Sequence, residues 1–318
     1  ANSHLARKAR VPVVNIIGDH ATDHKQYDAP LESDIETVAR NFSSWIRTCQ
    51  STAQLPADAA EAVAAAKSPP GRISTLILPA DVSWGKGGPA ADALPVAVSE
   101  TPSDAAVNQI AEVLLTSGKK NALLLGRSVL LADGVTAASK IAEKTGAKLF
   151  AEVFPARMER GAGLPCVERI AYLAEMVAVQ LNGVDNLIMV DARAPVSFFA
   201  YPGKKSYLVP ENCTTLHLTE PHQDALKSLH RLVSAVGADK TEPKRQHAQR
   251  PNLPSGKLNA AKVCQAVGAL MPENAIIADE AQTSGLKLPV FTAGAPRHDL
   301  LALTGGAIGQ GLPVAIGA

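Results

Sequence analysis

Short apolar runs alternate with segments of helical period along most of the chain. Residues 13–17, Val-Val-Asn-Ile-Ile, are apolar and β-branched but for Asn15 and predict a strand buried on both faces. Residues 1–10 precede it as a helix, with Leu5, Ala6 and Ala9 on one side and Arg7, Lys8 and Arg10 on the other. Residues 34–40 fit a short amphipathic helix capped by Ser33 or Asp34. Residues 42–45 lead into a second short strand. An alanine-rich helix over 58–67 stops at Ser68-Pro69-Pro70-Gly71, and 74–78 is another buried strand. Helices alternating with short strands predict parallel sheets with helical crossovers.

The same rhythm resumes after a Gly/Pro/Ala/Asp-rich connector over 84–102. Helix 103–117 places Val107, Ile110, Ala111 and Leu114 at buried spacing, and strand 122–126 follows. Further helices are expected over 130–145 and 169–181, and strands over 148–153, 186–190 and 215–218. Residues 240–256 are polar, basic and proline-containing, and predict a solvated linker. A helix over 257–270 and a strand over 275–280 then begin a new module. The expected fold is α/β, with three consecutive parallel-sheet domains. These are 1–90, 102–237 and 257–318, with 238–256 as linker and the first and last domains incomplete. Leu312-Pro313-Val314-Ala315-Ile316 reads as the start of a buried helix, with Pro313 tolerated in its first turn.

Composition narrows the classes. The 318 residues suggest more than one core. Apolar residues make up 46% and charged residues 19%, as in globular proteins generally. A net charge of +1 argues against a nucleic-acid surface built on general positive charge. No apolar run approaches the roughly 18–20 residues that cross a bilayer, and no signal peptide is recognisable. Cys49, Cys166, Cys213 and Cys264 are scattered, with no CxxC pair. They read as buried small hydrophobes in a reducing, cytoplasmic compartment.

Residues 304–318 are the most informative segment. Five glycines crowd it without the aspartate, asparagine or serine of a plain surface turn. Such glycines let a backbone approach a ligand or a second backbone closely. Gly305-Gly306-Ala307-Ile308-Gly309-Gln310-Gly311-Leu312-Pro313 resembles the loop that holds the aminopyrimidine ring in thiamine-diphosphate enzymes of the acetolactate synthase and benzoylformate decarboxylase group. Two more segments support the resemblance in the right order. Val13-Val14-Asn15-Ile16-Ile17-Gly18-Asp19-His20-Ala21 through Tyr27-Asp28-Ala29-Pro30-Leu31 is similar to the strand and loop of the pyrimidine-binding domain. Leu76-Ile77-Leu78-Pro79-Ala80-Asp81-Val82-Ser83-Trp84 is similar to the strand closing that domain, where Asp81 and Trp84 act structurally. The resemblance covers most of the chain.

The resemblance implies the thiamine-diphosphate-enzyme fold and a lyase or transferase acting on a 2-oxo acid. The first expectation is an acetolactate synthase-like carboligase or decarboxylase using a pyruvate-type substrate. The alternatives are an aromatic decarboxylase of the benzoylformate type and a non-catalytic relative of the fold. Gly306 would offer its carbonyl to the aminopyrimidine, with Ala307 beside it. Ile308 would be the stiff branched side chain under the bent cofactor. Gln282 and Thr283 follow a strand, where α/β folds bind ligands, and match positions that touch the diphosphate. His20 and His24 lie on the loop after the first strand, a region of substrate-facing polar residues, and imidazoles there can handle protons near neutral pH. The other histidines read as structural or solvent-exposed.

Thiamine diphosphate and Mg2+ are therefore the expected cofactors. The family's glutamate that activates the pyrimidine would precede Ala1, and its Gly-Asp-Gly metal motif would follow Ala318. A fold rarely ends on its own ligand loop, so further chain is expected at both ends. The 318 residues alone are expected to be inactive and to bind neither cofactor nor metal. FAD is not expected, because Leu125-Gly126-Arg127-Ser128-Val129 carries a single glycine and no G-x-G-x-x-G appears. That absence also disfavours an NAD-dependent dehydrogenase. By the same resemblance the site forms between subunits, which implies a homodimer at least and favours a homotetramer.

Overall fold

The computed structural model describes residues 2–318. The chain divides into two compact units, Ala1–Ser99 and Glu100–Ala318, with the boundary inside the expected connector. The first helix spans Asn2–Ala9, and Ala1 lies outside the described residues.

The first unit holds a three-stranded parallel sheet of β1 (Val13–Asp19), β2 (Trp45–Thr48) and β3 (Ile73–Pro79), in the order β1-β3-β2. The central strand β3 is buried almost throughout, as its apolar run dictates. β1 departs from expectation. It is an edge strand, and the face carrying Val14 and Ile16 is open, with Ile16 69% exposed. Continuous hydrophobicity marked it as two-sided, but only one face is covered within its own unit. The helix Leu55–Lys67 packs across β3 and β1 and begins three residues earlier than expected, with Pro56 in its first turn.

The second unit is built on a five-stranded parallel sheet. Its strands are β4 (Asn121–Leu125), β5 (Lys148–Ala151), β7 (Glu168–Arg169), β8 (Asn186–Val190) and β9 (Thr214–His217); β6 (Met158–Arg160) lies elsewhere. The order is β7-β5-β4-β8-β9. Alternation along β4 and β8 divides the core between two faces. Leu123, Leu125, Ile188 and Val190 meet the helices Asp104–Leu115, Ala132–Thr145 and Ala225–Ala235 on one side. Ala122, Leu124, Leu187 and Met189 form the other core, with Val177 from the helix Ala174–Gln180. All four apolar positions expected on the helix at 104–115 are buried, and Ser103 caps it by accepting from the Ala106 N–H.

Several expectations are corrected here. Residues 169–181 do not form one helix: Arg169 ends β7, and the helix starts at Ala174. Residues 240–256 carry no helix or strand and are mostly exposed, as expected of a solvated linker, but they are tied down by backbone hydrogen bonds. Lys244 N–H donates to Ser139 Oγ, Gln246 N–H to the Leu164 carbonyl and Gln249 N–H to the Gly294 carbonyl. Cys49 and Cys264 are buried, but Cys166 is exposed and Cys213 only half-buried.

The last segment does not stand as a separate all-parallel module. β10 (Ala275–Asp279) pairs in parallel with β11 (His298–Ala302), and β6 adds antiparallel to β11. Residues 158–160 thus leave the five-stranded sheet to complete a three-stranded one. Finally, the helix Gly311–Gly317 forms where one was expected but is not buried, since Leu312 and Ile316 are 73% and 78% exposed.

Candidate functional site

Each unit presents candidate chemistry at the carboxyl end of its sheet, where parallel strands leave a crevice. In the first unit Asp19 ends β1 and organises the following loop. Its Oδ1 accepts the His20 backbone N–H at 2.8 Å, and its Oδ2 accepts Lys25 Nζ at 2.6 Å. Lys25 also reaches Glu32 at 3.2 Å. The hydrogen bond to Asp19 is the main reason the Lys25 ammonium is held above its ordinary range, against the opposing pull of desolvation. Asp81, just past β3, accepts from both the hydroxyl and the backbone N–H of Thr22, at 2.5 and 3.0 Å. The Thr22 hydroxyl is the larger cause of the lowered Asp81 pKa. Asp81 therefore tethers the loop after β1 to the end of β3.

These tethers set His20 and His24 together, with ring centroids 5.4 Å apart and Tyr27 a further 5.9 Å from His24. Both histidines line a cleft of about 780 Å³ shared with Gly18, Leu31 and Trp84. His20 is half-buried and His24 exposed. Two imidazoles at the mouth of one cleft can bind a polar substrate group and exchange protons with it.

In the second unit β10 and β11 carry the glycine-rich loop and the segment after Asp279. Asp279 is buried, with Oδ1 accepting the Ala281 N–H at 3.0 Å and Oδ2 lying 4.0 Å from Arg169. Burial pushes the Arg169 guanidinium down, and the Asp279 charge opposes this. Gln282 is half-buried and Thr283 exposed in the turn that follows. The neighbouring residue makes the decisive contact. Glu280 Oε2 accepts from the backbone N–H groups of Gly309 and Gly311, at 2.8 and 3.0 Å. Those two donors, Gly311 first, hold the Glu280 carboxyl below its ordinary range. Glu280 thus brings the strand-end segment with Gln282 and Thr283 against the loop of Gly306, Ala307 and Ile308.

The loop has the form of an arch. Gly306 and Gly309 adopt φ of +71° and +100°, a region that side chains with a Cβ rarely enter. Between them Ala307 is half-buried and Ile308 stands outward, 74% exposed. Gln310 anchors the far side from a buried position, with Nε2 donating to the Ala302 carbonyl at 2.9 Å. A backbone carbonyl held by left-handed glycines beside one bare, branched side chain suits a flat heteroaromatic ligand. Among the described residues no group of three or more His, Cys, Asp or Glu side chains is arranged to hold a metal ion.

No family model matches the chain. Over all 318 residues it is 50% identical to IlvX of Mycobacterium tuberculosis, provisionally assigned as an acetolactate synthase large subunit, and it spans 61% of that protein's length. Its structure superposes, with a TM-score of 0.78 and 25% identity, on a protein of Mycobacterium smegmatis provisionally assigned as a thiamin diphosphate-dependent enzyme. The match covers 99% of this chain and 64% of that one. Its fold is that of the thiamine-diphosphate-dependent enzymes. Thiamine diphosphate-dependent 4-hydroxybenzoylformate decarboxylase of Rhodococcus jostii RHA1 shares the fold at a TM-score of 0.76 and 19% identity, across 99% of this chain and 63% of that one. Benzoylformate decarboxylase of Polynucleobacter necessarius shares it at 0.70 and 18%, across 99% and 62%.

Two residues at this site escape a reading of the sequence. Glu280 ends the predicted strand 275–280, and no sequence signal showed that it would meet Gly309 and Gly311. Phe198 packs on Gly306 from more than a hundred residues away. Its only signal was Ser-Phe-Phe-Ala-Tyr-Pro, a local cluster of rings in a chain with 4% aromatics.

One buried histidine near the loop gives a pH test. His298 on β11 donates through Nδ1 to the Pro296 carbonyl at 2.8 Å, leaving Nε2 buried and unpartnered. That carbonyl can only accept, so Nδ1 carries a proton, and a second proton on buried Nε2 would have no acceptor, which favours the neutral ring. Burial is the main reason its pKa lies below the ordinary 6.5. The unfolded chain therefore takes up a proton first on acidification. This contribution to stability is complete above about pH 6.5 and is lost as pH falls through that value. The urea midpoint of the wild type should fall between roughly pH 7 and pH 5 more steeply than that of His298→Gln. Parallel slopes would refute the assignment.

Proposed function

We propose that this chain contributes to a thiamine-diphosphate-dependent enzyme acting on 2-oxo acids, an acetolactate synthase-like carboligase or decarboxylase with a pyruvate-type substrate. The arch at 304–311 carries the reading, with left-handed Gly306 and bare Ile308 pinned beside the 279–284 turn. Its backbone and side chains fit the cofactor. Gly306 would present its carbonyl to the aminopyrimidine, Ile308 would support the bent ring system, and Gln282 and Thr283 would face the diphosphate together with Mg2+. When bound, thiamine diphosphate supplies a nucleophilic carbon and an electron sink for the pair left by the broken C–C bond. The protein's own contribution is to orient and to move protons. Stiff Ile308 would support the ring, and by the resemblance His20 or His24 would exchange a proton with the substrate oxygen.

An aromatic 2-oxo acid is the second reading. It is favoured by Phe154, Tyr172, Phe198 and Phe199, a cluster whose neighbouring rings lie 4.7–6.1 Å apart and whose member Phe198 packs on Gly306. The enzyme would be cytoplasmic, use no FAD and work as a homodimer or homotetramer. Among the described residues no helix is long and apolar enough to cross a membrane.

Titration with thiamine diphosphate and Mg2+, followed by carbon dioxide release from pyruvate and benzoylformate, tests this reading. The 318 residues alone should show no measurable binding. A chain extended to the length of its relatives should bind in the micromolar range and turn over one of the two acids. Failure of the extended chain to bind would sink the proposal.

A further inference from the structure

We propose that Phe198 is a positioning residue that braces Gly306 and so fixes the arch at 304–311. The inference rests on the functional reading only in what the arch is held for; the brace itself is a property of this fold. A Cβ built on Gly306 would fall on the edge of the Phe198 ring, against Cε2 and Cζ. The ring therefore occupies the space beside the Gly306 Cα that any other residue would need. Gly306 is excluded from substitution twice, once by φ of +71° and once by this contact.

The brace is itself held. Phe154 meets Phe198 edge-on, with centroids 6.1 Å apart and planes at 83°, and Tyr172 lies at 5.1 Å. Phe199 adds a second edge contact at 4.7 Å and 74°. Aromatic pairs at these separations and tilts attract beyond simple burial. Phe154 follows β5 and Tyr172 follows β7, so the ring is anchored on the edge of the five-stranded sheet. Phe198 then carries that anchorage to the arch.

The arch is thus clamped on both flanks, by Phe198 at Gly306 and by Glu280 at Gly309 and Gly311. Only its apex, Ala307 and Ile308, lies between the clamps. An exposed isoleucine on a mobile loop could not support a ligand; one on a loop held at both ends can.

Hydrogen exchange by mass spectrometry on peptides covering 303–312 tests the brace directly. Phe198→Leu removes the ring while keeping an apolar side chain, and should speed exchange in those peptides by about tenfold or more. Exchange in β4 and β8 should stay unchanged, which separates loss of the brace from global destabilisation. Phe198→Tyr keeps the ring edge and should restore protection. If Phe198→Leu does not fold, Tyr172→Leu, which unseats the ring from behind, should speed exchange in the same peptides. Equal exchange in wild type and folded variants, or acceleration spread evenly over the chain, would overturn the proposal. A separate titration of the chain extended to the length of its relatives with thiamine diphosphate and Mg2+ reports on the functional reading alone. Its failure there, with the exchange difference intact, would leave the brace standing.

Discussion

Gly306→Ala should destabilise the second unit by about 2–5 kcal/mol and abolish whatever the arch binds. The left-handed backbone at φ +71° costs an alanine roughly 1–2 kcal/mol. The new methyl group also meets the Phe198 ring, and overpacking of this kind costs about 1–3 kcal/mol more. Urea unfolding of the variant measures the sum. The two parts separate in the double variant Gly306→Ala with Phe198→Leu. Removing the ring relieves the clash but not the backbone strain, so the pair should lose less than the sum of the single changes. Strict additivity, or a Gly306→Ala protein as stable as wild type, would show that the ring and the glycine are not in the contact described.

Glu280→Ala should have the second-largest effect, and it should fall on the site more than on the fold. The substitution leaves the N–H groups of Gly309 and Gly311 without their acceptor. It also removes a negative charge from the start of the helix Gly311–Gly317, where the peptide dipoles favour one. Exchange in 305–311 should accelerate, and thiamine diphosphate affinity in a binding-competent chain should fall about tenfold or more. Glu280→Gln keeps a neutral acceptor and should lie between, because hydrogen bonds to a charged acceptor are roughly twice as strong. Since the fold lowers the Glu280 pKa, the charged tether is complete above about pH 5 and weakens as pH falls below the ordinary carboxylate range. Wild-type exchange in these peptides should therefore rise on acidification, after correction for the intrinsic rate, and Glu280→Ala should lack that rise.

The local elements were legible because their causes are local. Ser103 caps a helix whose Val107, Ile110, Ala111 and Leu114 point inward, and both facts can be read from spacing alone. The runs 122–125 and 187–190 are apolar at every position, so their burial on both faces followed. Other elements depended on partners far away in sequence. β6 is Met-Glu-Arg, with no strand signature, and exists because its backbone pairs with His298, Asp299 and Leu300. β1 and the helix Gly311–Gly317 carry apolar residues that the sequence placed inside, yet a hydrophobic side chain is buried only where another element covers it.

The candidate site divides the same way. Gly306 and Gly309 announce a close backbone approach, because glycine density and the lack of polar turn residues are composition. The strand ending just before them marks the neighbourhood of Gln282 and Thr283, and the family resemblance picks those two positions. The sequence by itself therefore determined the α/β class and the alternation of elements, and by resemblance it singled out the segment proposed to hold a ligand. Only the tertiary structure decided which residues hold that segment in shape. Glu280 and Phe198 are separated from the glycines they fix by 29 and by more than a hundred residues. Hydrogen bonds and ring contacts act over a few ångströms, so they depend on where the chain returns in space, which no local pattern of residues records.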